Sequence, residues 1–152
     1  MKATDDCDRR LGVWRRLILR GPAGTFLVRR GVDLKLFGVY VHDITAPDPG
    51  LDMHDHPWAF ATLILRGGYS EHYAEARTPE LPHFRQWRRG SVHRMRQTDI
   101  HRIVDVEPGT LTLVVRGRKT RPWGFYQVTE GLWVDQCDYD YESRRPVSEV
   151  RS

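Results

Sequence analysis

Short runs of alternating apolar and polar residues dominate the chain, and most are bounded by Gly, Pro or Asp. Alternation with a period of two is typical of half-buried β-strands, and helical periodicity is almost absent. Residues 11–19 fit either a short helix or a first strand. The pattern predicts strands at residues 25–29, 34–44, 58–66, 69–74, 84–87, 91–95, 101–106, 111–116 and 123–128. We therefore predict an all-β sandwich or barrel.

A glycine pair and the C-terminal tail add a turn and a covering segment to the predicted strands. The dipeptide Gly67-Gly68 predicts a hairpin turn, with residues 69–74 as the return strand. The aromatic tail at residues 132–141 is expected to pack over an end of the barrel. Residues 1–10 and 144–152 are expected to be frayed. A length of 152 residues is typical of one domain, so we predict a single domain over residues 1–152.

Composition indicates a soluble globular chain, with 39% hydrophobic and 29% charged residues. The longest uncharged apolar run, residues 58–65, is too short to cross a bilayer, and no signal-peptide pattern is present. We therefore predict no membrane partner. Cys7 and Cys137 are far apart and form no Cys-x-x-Cys pair, which predicts no disulfide framework and a reducing, cytoplasmic location.

The net charge of +4 reflects an excess of arginine. A basic surface for nucleic-acid phosphates and a genome that uses Arg in place of Lys would both produce it. The arginines are dispersed among acidic residues without a contiguous tract, which disfavours nucleic acid as a partner. The sequence has no Gly-rich phosphate loop, no Gly-x-Ser-x-Gly motif and no Cys close to a His, so nucleophilic catalysis has no support.

The segment MHDHPW at residues 53–58 carries the strongest chemical signal. His54 and His56 would share one face of a strand, and His101 from another strand would complete three neutral ligands. Such a set binds a divalent transition metal and leaves positions open. The alternative is that these histidines are polar or carbonyl-bonded strand residues. Asp55 should point away from the metal, as a support or surface group, whereas Glu71 could supply a carboxylate ligand from the neighbouring strand.

These residues resemble the first motif of the cupin superfamily, in which His-x-His is followed by Glu and then by Gly. Here His54 and His56 are followed at the family distance by Gly67-Gly68, while Phe60 or Ala61 occupies the Glu slot. The phrases HDHPW, LILRGGY and HRI are also similar to those of small bacterial and phage cupins.

The second cupin motif is represented by its spacing. Gly90 and His101 keep the family separation. The Pro, Gly and Asn slots of that motif are occupied by Arg96, Thr98 and Asp105. The two motifs span about a third of the chain, and the strand pattern fits over most of the rest.

The resemblance implies a double-stranded β-helix, or jelly-roll barrel, with His54, His56 and His101 as metal ligands. Loss of the Glu leaves three histidines, a pattern similar to that of thiol dioxygenases among cupins. It implies an Fe(II) dioxygenase-type oxidoreductase acting on a small polar or anionic substrate. The alternatives are a non-redox isomerase, lyase or hydrolase with Zn, Ni or Mn, and a non-catalytic ligand-binding cupin. Pairing through edge strands into a homodimer is also expected.

Several residues near the two motifs are predicted to contact the substrate. Aromatic side chains would form the barrel wall, and an inward arginine would bind a carboxylate or phosphate with two hydrogen bonds. The pocket candidates are Trp58, Phe60, Tyr69, Glu71, Tyr73, Arg94 and Arg96. His72 and His93 are expected to be structural or exposed.

Overall fold

The computed structural model describes residues 12–75, 82–128 and 130–140, which form strands joined by turns and loops. The strands are β1 (Gly12–Gly21), β2 (Gly24–Asp33), β3 (Gly38–Ile44), β4 (Met53–His54), β5 (Phe60–Arg66), β6 (Gly68–Ala74), β7 (His83–Arg88), β8 (Val92–Met95), β9 (Ile100–Val106), β10 (Thr110–Arg116), β11 (Gly124–Gln127) and β12 (Leu132–Asp135). Within these ranges no helix has the length and apolar character needed to cross a membrane.

The strands form two six-stranded antiparallel sheets that enclose the core as a jelly roll, which confirms the predicted all-β class. The first sheet has the order β1-β2-β3-β10-β5-β8, and the second has the order β12-β11-β4-β9-β6-β7. Side chains alternate across each strand, so every second residue enters the space between the sheets. One core cluster joins the two sheets through buried Leu27, Ile44, Ile64, Tyr69 and Ile103.

The first two strands form a hairpin. The segment that fitted either a short helix or a first strand is therefore a strand. β1 covers residues 12–21 and pairs with β2 along its length. The predicted strand at residues 34–44 is correct only from Gly38 onward. The amide of Leu34 donates to the carbonyl of Phe37 over 2.9 Å, which makes residues 34–37 a turn. Leu36 and Phe37 are consequently exposed, although their apolar character suggested a buried strand.

The predicted hairpin at Gly67-Gly68 is wrong, because β5 and β6 lie in different sheets. Gly67 has a φ of +66°, a conformation that L-residues rarely adopt. A Cβ on Gly67 would lie 2.5 Å from Oγ1 of Thr110. The chain turns a corner here rather than folding back, and this corner carries β6 towards the histidine-bearing strands.

The C-terminal tail adds β12 to the edge of the second sheet beside β11. The ring of Tyr139 stacks on Phe125 with 3.9 Å between centroids, and its hydroxyl donates to Asp52 over 2.6 Å. Cys137 is disulfide-bonded, and the other cysteine of the sequence, Cys7, is outside the described residues. The sequence predicted no disulfide framework, and a bond at Cys137 removes that support for a reducing location.

Candidate metal centre

Three histidine side chains converge where β4 meets β9. His54 pairs with His101 across these two strands, and His56 follows two residues after His54. The ring centroids are 4.6 Å (His54–His101), 5.0 Å (His54–His56) and 5.1 Å (His56–His101) apart. One nitrogen from each ring lies within 4.8 Å of the others. The pairing register, which the sequence does not display, is what brings residues 54 and 101 together.

The separations match the size of a metal site. Nε2 of His56 and Nε2 of His101 are 2.9 Å apart. Two nitrogens bound about 2.1 Å from one ion at right angles would be separated by about 3 Å. The donor set consists of three imidazoles, which suit Zn, Cu, Fe and Ni. These residues therefore fit a mononuclear divalent transition metal.

A buried carboxylate fixes the orientation of His101. Oε2 of Glu71 lies 2.7 Å from Nδ1 of His101, and the Glu71 side chain has no exposed surface. The indole Nε1 of Trp87 donates to Oε1 of Glu71 over 2.7 Å. Because Nδ1 donates to the carboxylate, Nε2 of His101 is the nitrogen left for a metal. Glu71 therefore supports a histidine, and it is absent from the cluster of candidate ligand atoms.

The charges around this pair shift both pKa values in the direction of an ion pair. Burial alone would lower the pKa of His101, but the hydrogen bond and charge of Glu71 raise it above the ordinary value. Burial would likewise raise the pKa of Glu71, but His101 and Trp87 lower it overall. In the metal-free protein the two groups therefore stabilise each other.

The pKa values of the other two histidines shift in the opposite direction. Burial, followed by the charge of His101, holds the pKa of His54 well below its ordinary value. Burial also lowers the pKa of His56, with further contributions from His54 and His101. His54 and His56 are consequently neutral near pH 7, which is the form that binds a metal.

Asp55 holds the loop between the two histidines. Its side chain is completely buried and accepts hydrogen bonds from the Gly124 amide (2.8 Å) and the Trp133 indole (3.3 Å). Nη2 of Arg121 lies 2.9 Å from Oδ2 of Asp55. Burial nevertheless raises the pKa of Asp55. The side chain is thus a buried support beneath the histidine segment, and the surface alternative for it is excluded.

Asp48 is a second acidic residue at the site, and its position was not predicted. Its Oδ2 accepts the Ile103 amide over 2.8 Å and lies 3.8 Å from Nδ1 of His54. The Asp48 amide in turn donates to the Ile103 carbonyl over 3.0 Å. Burial is the largest influence on the Asp48 carboxyl and raises its pKa. This double contact ties the loop before β4 to β9.

The histidines form part of the wall of a cavity of about 700 Å³ between the sheets. Most of the wall is apolar or aromatic, which is typical of small-molecule sites. The side chains nearest the three histidines include Asp48, Phe60, Trp123 and Phe125. Trp123 stacks over His56 at 6.3 Å between centroids, and its buried Nε1 has no hydrogen-bond partner among the described residues. Buried donors of this kind are usually satisfied by a water molecule or a ligand.

Three of the predicted pocket residues line this cavity: Trp58, Phe60 and Tyr69. The hydroxyl of Tyr69 lies 2.6 Å from Nε2 of His93. Burial lowers the pKa of His93 to about 4 and raises that of Tyr69, so the neutral His93 accepts and Tyr69 donates. His93 is thus a buried structural residue, while its partner faces the cavity.

The other predicted pocket residues are not in the cavity wall: Glu71, Tyr73, Arg94 and Arg96. Both oxygens of Glu71 are occupied by His101 and Trp87. The Arg85 guanidinium covers the Tyr73 ring at 3.4 Å from its centroid. Arg94 and Arg96 are exposed, because the alternation of β8 turns His93 and Met95 inward instead.

Sequence reasoning missed cavity residues on the first three strands, on β10, on the loop before β4, and on β11 with the loop that precedes it. They include Arg16, Arg20, Arg29, Tyr40, His42, Asp48, Thr112, Trp123 and Phe125. Their position depends on which strands face the three histidines across the cavity. No motif in the sequence indicates which strands these are. Tyr40 and His42 are two residues apart on β3 and so share a face, but nothing in the sequence identifies that face as the cavity.

Comparisons with solved structures identify the fold. HEPD from Streptomyces albus, solved with Fe(II) and its substrate 2-hydroxyethylphosphonate, has a TM-score of 0.57 at 11% identity over 70% of this chain and 24% of its own. KdgF from a Halomonas species has a TM-score of 0.50 at 12% identity over 80% of this chain and 96% of its own. Bacillus subtilis oxalate decarboxylase has a TM-score of 0.53 at 13% identity over 78% of this chain and 28% of its own.

These three neighbours share the cupin fold, and this chain has the cupin fold as well. The chain spans only about a quarter of HEPD and of oxalate decarboxylase. No protein-family model matches the sequence, and no curated protein matches it. The likeness therefore establishes the architecture, and the chemistry of the site has to be argued from its own residues.

Proposed function

We propose that this protein is a metal-dependent oxidoreductase of the dioxygenase type, in which His54, His56 and His101 hold Fe(II). The observation that carries the proposal is the convergence of three imidazole nitrogens within 4.8 Å on the wall of a largely apolar cavity. A bound metal of this kind would supply open coordination positions for a small polar or anionic substrate and for O₂.

The protein's own residues have separate tasks in this proposal. The three imidazole ligands are neutral, so a bound divalent ion would keep a positive charge at its coordination sphere, which favours an anionic substrate. Glu71 holds His101 in the tautomer that presents Nε2. The aromatic rings of Phe60 and Trp123 contact His56 and exclude water from that side of the site.

The choice of iron rests partly on the structural neighbours. HEPD has been solved with Fe(II), and so has a further structural neighbour, HppE, which has a TM-score of 0.53 at 12% identity over 74% of this chain and 61% of its own. At 11–12% identity, this likeness makes Fe(II) the first metal to test.

The test begins with metal analysis of protein purified without added metal, followed by anaerobic loading with Fe(II). We expect one metal per chain, and oxygen uptake when a panel of thiols and small acids is added. The His54→Ala, His56→Ala double variant should lose both. His83→Ala removes an exposed histidine outside the cavity and should retain both. Stoichiometric iron without oxygen uptake across the panel would contradict dioxygenase activity.

Asp48 favours a second candidate, a non-redox isomerase or lyase that uses the metal as a Lewis acid. Its carboxylate lines the cavity 3.8 Å from His54, where it could move a proton on a bound substrate. Firmly bound Zn, Ni or Mn in the purified protein, with no oxygen uptake after Fe(II) loading, would favour this candidate. Asp48→Asn should then abolish turnover while metal binding persists.

A further inference from the structure

A row of polar side chains crosses the first sheet on the face that lines the cavity. Arg29 on β2 pairs with His42 on β3, and His42 pairs with Thr112 on β10. Cross-strand partners point to the same face of a sheet, and all three residues line the same cavity as the three histidines. The row therefore faces the cavity from the sheet opposite to the one that carries His54 and His101.

The hydrogen bonds within this row leave donors unused. Nε of Arg29 donates to Nε2 of His42 over 3.1 Å. Among the described residues, the two terminal nitrogens of Arg29 have no acceptor, and the guanidinium lies 4.9 Å from the Tyr40 ring centroid. Burial, followed by the Arg29 charge, lowers the pKa of His42 well below its ordinary value. A neutral His42 that accepts at Nε2 carries its proton on Nδ1, which is a further donor.

Thr112 provides an independent observation. Its side chain is 1% exposed, and its hydroxyl has no hydrogen-bond partner in the described part of the chain. Leaving a buried hydroxyl without a partner is costly, so such groups are usually satisfied by a ligand or water. The wall contains three arginines, the other two being Arg16 and Arg20, and a single carboxylate, Asp48, which already accepts the Ile103 amide. The cavity wall therefore carries more cationic than anionic side chains, although Arg16 and Arg20 are largely exposed to solvent.

We propose that Arg29, His42 and Thr112 form an oxyanion-binding subsite, which holds the carboxylate or phosphonate end of the substrate while the remainder reaches the histidines. The proposal rests on the proposed metal site for the other end of the substrate. Guanidinium groups bind such oxyanions with two parallel hydrogen bonds. The row itself contains no acidic residue that would repel the anion.

The wall beside this row determines the rest of the substrate class. Leu27, Ile44 and Ile103 line the cavity next to the polar row, and Phe60 and Phe125 line it next to the histidines. A substrate that bridges the two ends must place a hydrocarbon or aromatic portion against these side chains. The substrate class is thus a small organic acid with an apolar body.

The experiment measures binding of phenylacetate, phenylphosphonate and neutral phenylacetamide by calorimetry, on metal-free and on Zn(II)-loaded protein. We expect at least one acid to bind and the amide to bind at least tenfold more weakly. Arg29→Gln should weaken acid binding by roughly tenfold or more. Thr112→Val, which keeps the side-chain shape, should weaken it by about threefold to tenfold. The matched control Arg94→Gln, on the exposed face of β8, should leave it unchanged.

The outcomes separate the two proposals. Equal binding of acid and amide, or acid binding that Arg29→Gln and Thr112→Val leave unchanged in folded protein, would overturn the subsite. Absence of binding by both acids would also overturn it, and normal zinc binding would then leave the metal proposal standing. Acid binding that depends on Arg29 in protein that binds no metal would support the subsite and refute the metal proposal. Circular dichroism and melting temperature verify that each variant is folded.

Discussion

The two walls of the cavity hold their polar side chains in different ways. On the histidine wall, carboxylates with little or no exposed surface contact the candidate ligands or their loop: Glu71 bonds to His101, and Asp55 lies between His54 and His56. On the opposite wall, Arg29 and Thr112 retain unused donors among the described residues. One wall is already preorganised by the protein, whereas we propose that a ligand completes the other.

This difference predicts separate roles for the two sheets, one in metal binding and the other in substrate binding. A metal site needs ligands fixed within a fraction of an ångström, so its supporting groups must be rigid and satisfied within the protein. A substrate subsite gains affinity when its donors remain free until the substrate arrives. Substitutions on the histidine wall should therefore change stability and metal affinity, and those on the opposite wall should change ligand binding.

The largest effect is expected for Asp55→Ala. This change removes the carboxylate that accepts from the Gly124 amide and the Trp133 indole and that pairs with the Arg121 guanidinium. Removing one partner from a buried charged network typically costs about 3–5 kcal/mol. Urea unfolding should show a loss of this size in the free energy of unfolding, whereas the control Asp105→Ala, at an exposed position of β9, should change it by less than about 0.5 kcal/mol. Similar losses in both variants would contradict the supporting role of Asp55.

The next largest effect is expected for Glu71→Gln, which should lower metal affinity. Glutamine keeps the shape but loses the charge that orients His101. Loss of such a partner typically weakens metal binding by about 10–100-fold. Competition with a chromophoric chelator measures the change, and Glu107→Gln, on an exposed turn, is the matched control. An unchanged affinity in Glu71→Gln would show that the His101 orientation does not depend on the carboxylate.

The raised pKa of His101 predicts a pH dependence of metal binding. Below that pKa the metal must displace a proton from His101, so affinity should rise with pH by up to about tenfold per unit and level off above it. The same shift stabilises the metal-free fold below the ordinary value of 6.5, and that contribution is lost as pH rises through the raised pKa. Calorimetry in buffers of different ionisation enthalpy counts the released protons, and Glu71→Gln should reach the plateau at lower pH.

Much of this picture could be predicted from the sequence, because period-two alternation reports burial directly. The spacing of His54 and His56 and the separation of Gly90 from His101 indicated which histidines to group. Sheet membership was harder to predict, since a Gly-Gly pair suits a hairpin as well as a corner between sheets. Arg94 and Arg96 were pocket candidates because they flank the second motif, whereas Arg29 lies far from both motifs in the sequence and carries no such signal.

The smallest effect is expected for Tyr69→Phe. Tyr69 lies on the same strand as Glu71, and this variant distinguishes a contribution to fold stability from a contribution to metal binding. The change removes the 2.6 Å hydrogen bond to His93 and leaves a buried ring nitrogen without its donor. The free energy of unfolding should fall by about 1 kcal/mol, while metal affinity stays unchanged because Tyr69 bonds to His93 and to none of the three candidate ligands. Tyr126→Phe, at a tyrosine packed in the hydrophobic cluster with Met53 and Ile100, should change stability by less than half as much. A drop in metal affinity comparable to that of Glu71→Gln would mean that the Tyr69–His93 pair belongs to the metal centre. The preorganised wall would then include these two residues as well.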